Sequence, residues 1–518
     1  MNDRPDMHRP PVEDSTGGNR PATRLVSRRT VVVAGAGLAA LPALDWLSPA
    51  GSTAATTLDV RDFGATGNGT TDDTAAVQRL IDEAARRGAI GLLPAGTYRC
   101  TGSLLLPGGA QLQLASGARL LKDWAASPGL ANAFLRTRDF AARSDGVRIT
   151  GPGTIGARDH SRTGVIVALY GNDVRLSDLT IDTYAGGQAV MYAGDRGRMD
   201  RVRIRGSAAA TGTGGIRVVG GADFLATSCD VQSGDDCLQF VPIGDPRALL
   251  FDMSITRGSY VGCTGTSTVS RFMVALLEWT SGEGGMSASV TDCSFSNCRG
   301  SGTNRGIVVK NSHSSGTIQR LRFTDCSVDM SRAANADTQE IRIQTDATAG
   351  GSVRDVTFTR TSVTRPVNST LRVLGPRISG LTFDTCTFAA PSGSANVLAV
   401  VDQADRVRIV GSSFAGTGGR RLLVAGPIAP VTALSVENCR FTDIGNAVWG
   451  VDLVGAPGAR VAGSTFRQAA GTTTARAVRV SPASSAVVIE GNDLTGLTST
   501  PKITDNATGT VVRNNRGG

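Results

Sequence analysis

The chain is poor in lysine, histidine and aromatic side chains. Lysine occurs only at Lys122, Lys310 and Lys502, histidine three times, and aromatics make up 5% of the 518 residues. Three histidines, with no Ser/His/Asp order and no Cys/His zinc spacing, argue against a histidine-based metal or nucleophile site. No basic run is interleaved with aromatics, which argues against a nucleic-acid partner. Nothing toward the C-terminus reaches the ~18 continuous apolar residues of a membrane span. Helical periodicity is absent after about residue 100.

Glycine is abundant, with 65 residues, and 40% of the chain is hydrophobic, too apolar for a disordered chain. The net charge of +9 is carried almost entirely by arginine. That balance suits an acidic partner or simply an arginine-solubilised surface.

Residues 1–55 read as an export signal. A polar stretch leads to Ser27-Arg28-Arg29-Thr30, then an apolar run to about Leu44, then small residues ending Ser52-Thr53-Ala54-Ala55. The paired arginines resemble a twin-arginine leader, with cleavage expected after about Ala55 and the mature protein secreted. Twin-arginine export implies folding before translocation, so disulfides are not expected among the nine cysteines.

Residues 56–100 form the next unit. An amphipathic helix is predicted over Thr74–Arg87, with Ala76, Leu80, Ile81 and Ala84 on one face. Asp72 or Asp73 is its N-cap, and Gly88 ends it. A β pattern follows without return to helix, and from residue 170 the chain repeats an apolar strand, a small-x-apolar triplet and a turn. The triplets read Leu179-Thr180-Ile181, Val202-Arg203-Ile204, Cys229-Asp230-Val231, Met253-Ser254-Ile255, Cys293-Ser294-Phe295 and Cys326-Ser327-Val328, and continue to Asn492-Asp493-Leu494. Eight of the eleven intervals between them are 23–28 residues, and the longest is 40. A period near 25 without helix predicts an all-β solenoid, a single-stranded right-handed parallel β-helix over 101–518 capped at its start by the helix. Five cysteines share one phase (Cys229, Cys293, Cys326, Cys386 and Cys439) and would stack as a buried ladder of free thiols.

The segment Asp62-Phe63-Gly64-Ala65, Gly69-Thr70-Thr71-Asp72-Asp73-Thr74 and Leu93-Pro94-Ala95-Gly96-Thr97-Tyr98 resembles the start of pectate-lyase-like parallel β-helix proteins. Ser233-Gly234-Asp235-Asp236-Cys237-Leu238 resembles the Gly-Asp-Asp-Cys motif of the polygalacturonase (pectin hydrolase) family. The resemblance implies an inverting hydrolase of a plant or microbial glycan, with an acidic one among the expected substrates, and without cofactor or metal. Asp235 would protonate the leaving oxygen and Asp236 would hold the attacking water. Gly214 stands where that family has a third carboxylate. Arg257–Ser267 lacks the family's histidine, and only Lys310 remains of its Arg-Ile-Lys clamp.

Substrate-binding candidates are Lys310, the possible sugar-stacking rings Trp279 and Tyr260, and Arg271 and Arg305, which would hold an acidic sugar. Asp223 and Asp230 read either as helper acids or as plain turn acids, and His160 as a surface turn. Two further readings stand beside the hydrolase. One is a lyase or epimerase of a uronate glycan, in which Ca²⁺ or Arg neutralises the acid and an Arg or Lys takes the proton. The other is a non-catalytic glycan-binding solenoid. The expected partner is a polysaccharide or oligosaccharide, and the expected state a monomer.

Overall fold

The computed structural model describes residues 56–518 except 126–131, 159–163, 184–185, 207–211, 243–252, 268–269, 278–286, 302–304, 313–314, 331–340, 347–349, 365–368, 390–397, 417–421 and 426–429. The leader expected over 1–55 lies outside the described residues.

The chain winds as a right-handed parallel β-helix, and every strand pairs in parallel with the strand one coil on. Three sheets run its length. In one coil, Leu225–Thr227 belongs to sheet A, Asp230–Ser233 to sheet B and Leu238–Phe240 to sheet C. The long strand Thr213–Ala222 pairs in both C and A and joins them. Three-residue strands suffice because each buries its middle side chain and leaves its flanks half exposed.

The A-to-B corner is two residues wide, and its first residue is left-handed. Asp178, Arg201, Ser228, Gly262, Asn297, Asp325 and Arg360 each turn it with φ between 46° and 61°. Glycine and asparagine or aspartate suit that left-handed conformation, whereas arginine there is unusual. Coil-to-coil ion pairs accompany it, with Arg201 on Asp178 and Arg360 on Asp325. The B-to-C and C-to-A turns hold the insertions, so sheet C is the face flanked by the long loops.

The helix α1 spans Thr74–Arg87, buries Ala76, Val77, Leu80, Ile81 and Ala84 and stops at left-handed Gly88. Asp72 accepts from the Thr74 backbone N–H, while Asp73 accepts from Thr66 and Gly67 and ties down the preceding loop.

Inside, Tyr260, Phe295, Phe323, Phe358 and Phe383 stack along sheet A at centroid spacings of 4.7–5.3 Å. Phe388, Phe414, Phe441 and Phe466 stack along sheet B at 4.9–5.0 Å.

The structure corrects the phase of two triplets. Met253-Ser254-Ile255 and Cys293-Ser294-Phe295 precede or lie in sheet A strands. Their expected places in sheet B belong to Cys263-Thr264-Gly265 and Cys298-Arg299-Gly300. Glycine hides the apolar position there because Phe272 fills it. A Cβ on Gly300 would meet Phe272 Cδ1 at 2.4 Å, and one on Gly265 would meet its Cε2 at 3.1 Å. The ladder column is therefore Cys229, Cys263, Cys298, Cys326, Cys386 and Cys439. Each thiol donates to a carbonyl one coil back, as Cys326 does to Phe295 O at 3.3 Å. Thr361 and Ser412 stand in the same column and donate the same way.

All nine cysteines are free and buried, and burial pushes the Cys293 and Cys386 thiols up to about 12. Native protein should therefore not react with a thiol reagent at neutral pH, denatured protein should titrate all nine, and reductant should leave the melting temperature unchanged. A reductant-sensitive melt would contradict the ladder.

Candidate functional site

The motif lies on the B-to-C turn between Asp230–Ser233 and Leu238–Phe240. Its backbone is tightly held. Ser233 Oγ donates to Asp235 O at 2.5 Å, Gly234 N to Thr213 Oγ1 at 2.7 Å, and Gly215 N to Asp236 O at 2.9 Å. Gln239 Nε2 also donates to Asp236 O. Pinned so, consecutive aspartates point to different surroundings.

Asp236 is 2% exposed. Arg271, one coil on, grips both its carboxylate oxygens at 2.7 Å, and Ser270 Oγ donates to Oδ1 at 2.8 Å. Burial pushes this carboxyl up, Arg271 pulls it down, and the neighbouring Asp235 adds to the rise. A water-holding role for Asp236 is thus corrected: its oxygens are taken and it is closed to solvent. Arg271 is likewise committed to Asp236 rather than presented to a sugar.

Asp235 is half-buried, and no described side chain hydrogen-bonds its carboxyl. Beside it is Arg217, which sequence reasoning missed. Arg217 points outward from sheet C in register with Gln239, whose Oε1 its Nε meets. Burial lowers its pKa, while Asp235 and Asp236 act in the opposite sense and Arg271 adds to the lowering. Two carboxyls and two guanidiniums thus form one cluster, with Asp235 the carboxyl left open. The alternation Ile216-Arg217-Val218 could have flagged an outward arginine, but only register sets it beside Asp235.

A side chain at position 214, where the third acid is absent, would require Gln188 to move. A Cβ there would lie 2.1 Å from Gln188 Oε1, and Gln188 Nε2 is held by Gly215 O.

The remaining candidates scatter. Tyr260 is corrected to a core residue, fully buried in the aromatic stack with its hydroxyl donating to Ile216 O or Gln239 O. Trp279 and His160 lie outside the described residues. Arg305 is in register with Arg271, one coil further. Lys310 is on that same strand but five residues along, about 16 Å at the usual strand rise, so it does not join the cluster. Asp223 is a turn acid paired with Arg257, whereas Asp230 begins its sheet B strand and pairs with Arg205.

Val241, Val274, Leu276 and Val308 form a separate buried apolar cluster beside the core. Among the described residues, no group of three or more His, Cys, Asp or Glu could hold a metal, and no helix is long and apolar enough to cross a membrane.

A family model described as rhamnogalacturonase A/epimerase, pectate lyase-like, matches residues 57–147. Over 128 residues, 24% of the chain, the sequence is 31% identical to mannuronan C5-epimerase AlgE2 of Azotobacter vinelandii, and the match covers 10% of that protein's length. The tailspike of E. coli bacteriophage HK620 superposes with a TM-score of 0.54 at 12% identity, covering 88% of this chain and 78% of the tailspike. A variant of that tailspike in complex with a pentasaccharide gives 0.53 at 11% identity over the same shares. The superposition supports a parallel β-helix fold, and the likeness to the pectate-lyase-like family model is confined to residues 57–147.

Proposed function

We propose that this β-helix is a carbohydrate-active enzyme that works on an acidic polysaccharide by proton transfer at Asp235. The observation that carries it is the division of the motif: Asp236 is buried on Arg271, while Asp235 stays open beside Arg217. The partial likeness to a mannuronan C5-epimerase supports the substrate class.

A guanidinium paired with a uronate carboxylate makes the proton on the adjacent carbon, C5, more acidic by stabilising the charge that develops when it leaves. Arg217 would supply that charge, and Asp235 would accept the proton, forming O–H as C5–H breaks. In elimination, the C5 electron pair then forms C4=C5 as C4–O breaks, and the departing oxygen takes up a proton. In epimerisation, a water on the other face gives C5 a proton, Asp235 passes its own proton to solvent, and no chain bond breaks.

The Gly234-Asp235-Asp236-Cys237 match favours a second reading, inverting hydrolysis with Asp235 as the acid. That route needs an ionised carboxylate touching water, and Asp236 does so only if Arg271 lets go.

Incubation with polyuronates separates the readings. Elimination yields ultraviolet-absorbing unsaturated ends, epimerisation changes C5 proton resonances without new ends, and hydrolysis yields reducing ends without ultraviolet absorbance. New reducing ends without unsaturation would overturn the first reading. The leader expected over residues 1–55 would deliver the enzyme outside the cell, and N-terminal sequencing of secreted protein should begin near Thr56.

A further inference from the structure

Further along sheet C lies a second polar group, outside the Asp235 cluster. Strands Ile341–Thr345, Leu371–Leu374 and Ala399–Asp402 are consecutive rungs. Each buries alternate side chains, Ile341, Ile343, Leu371, Val373, Ala399 and Val401, and turns the others outward. Three outward side chains, on three successive coils, have a buried polar atom without a partner: Gln344 Oε1, Arg372 Nε and Asp402 Oδ1. Buried polar groups are nearly always satisfied, so three together on one face call for an explanation.

The solenoid pairs acid with base between coils in many places. Asp452 and Arg479, adjacent rungs of this same sheet, bind each other with two bonds of 2.6 Å. Arg372 and Asp402 are also on adjacent coils but out of step by two residues. The rung after Arg372 is Val400, and the rung after Asp402 is Ala425. They therefore leave one another unsatisfied and face outward with Leu374 between them in sequence. Burial pushes the Asp402 carboxyl up.

We propose that this stretch is a distal glycan-binding site in which Arg372 takes a uronate carboxylate and Gln344 and Asp402 take ring hydroxyls. Hydroxyls both donate and accept, so they match a set holding an unused donor and two unused acceptors. The guanidinium offers the planar fork suited to carboxylates, and Leu374 offers an apolar surface to a ring's C–H face. The site begins three coils from the Asp235 turn and ends five coils from it, roughly 14–24 Å at the ~4.8 Å rung spacing. A polymer lying along the axis would reach both, and a trimer at Asp235 would not. This inference rests on the acidic-glycan reading for its substrate class.

The test is calorimetric binding of a uronate oligosaccharide ladder to the full chain carrying Asp235→Asn, with Arg372→Ala, Arg372→Lys or Asp402→Asn added. Expected is a loss of about tenfold or more for long oligomers with trimers unchanged, and for Arg372→Ala a melting temperature equal to or above the parent, since that change removes an unsatisfied donor. Unchanged long-oligomer affinity, or equal losses for trimers and long oligomers, would overturn the site. So would a lowered melting temperature in both Arg372 variants, which would mark that arginine as structural. The catalytic reading fails separately, if Asp235→Asn keeps full turnover.

Discussion

Asp235→Asn is expected to lower turnover of a uronate polymer by roughly 10²–10⁴-fold, the range that one positioned acid or base contributes. The change keeps size and shape and removes only the group that takes the proton. Because no described side chain hydrogen-bonds this carboxyl, its loss should leave the fold untouched. Melting temperature and circular dichroism should match the parent. Binding should persist, because Arg217 still faces the sugar's acid. Full turnover in the variant would remove Asp235 from the chemistry. A folded variant that neither binds nor turns over substrate would instead make Asp235 a binding residue.

Arg271→Ala should damage stability rather than chemistry first. It strips the partner from a carboxylate that is 2% exposed, leaving a buried charge without compensation. Breaking one side of a buried pair typically destabilises by about 3–5 kcal/mol, whereas replacing both members with well-packed neutral groups is often near neutral. Arg271→Met with Asp236→Leu should therefore recover most of what Arg271→Ala loses, and chemical denaturation through the four-member cycle measures the coupling. Additive losses would show that the pair is not coupled and would reopen Asp236 to a water-holding role.

The sequence carried the features set by near neighbours. The helix Thr74–Arg87, its buried face and its stop at Gly88 follow from local periodicity and from glycine's tolerance of φ +63°. The ladder of small buried residues was visible because the left-handed residue just before it repeats every coil. What was illegible depends on register across insertions. Cys293 was set in the sheet B column because it also follows a left-handed corner, Asp292, one position earlier in the coil. Gly265 and Gly300 concealed the true rungs, since the side chain that fills their space, Phe272, comes from another sheet.

The same limit governs the candidate site. The motif located Asp235 and Asp236, but adjacency in sequence does not say which of two carboxyls meets solvent. Arg271 reaches Asp236 across 35 residues, and Arg217 reaches the cluster from the preceding coil. Neither relation has a local signal. Tyr260 reads as a possible sugar platform in isolation, yet it continues the Phe295–Phe323–Phe358 stack once coils are aligned.

A crystal structure of the Asp235→Asn protein soaked with a uronate oligosaccharide tests the central claim most directly. The account predicts a sugar at the B-to-C edge of sheet C, its carboxylate on Arg217 and its C5–H directed at residue 235, with Asp236 still gripped by Arg271. An oligosaccharide bound on sheet A or B, or one whose attacking water rests on an Asp236 released from Arg271, would contradict it.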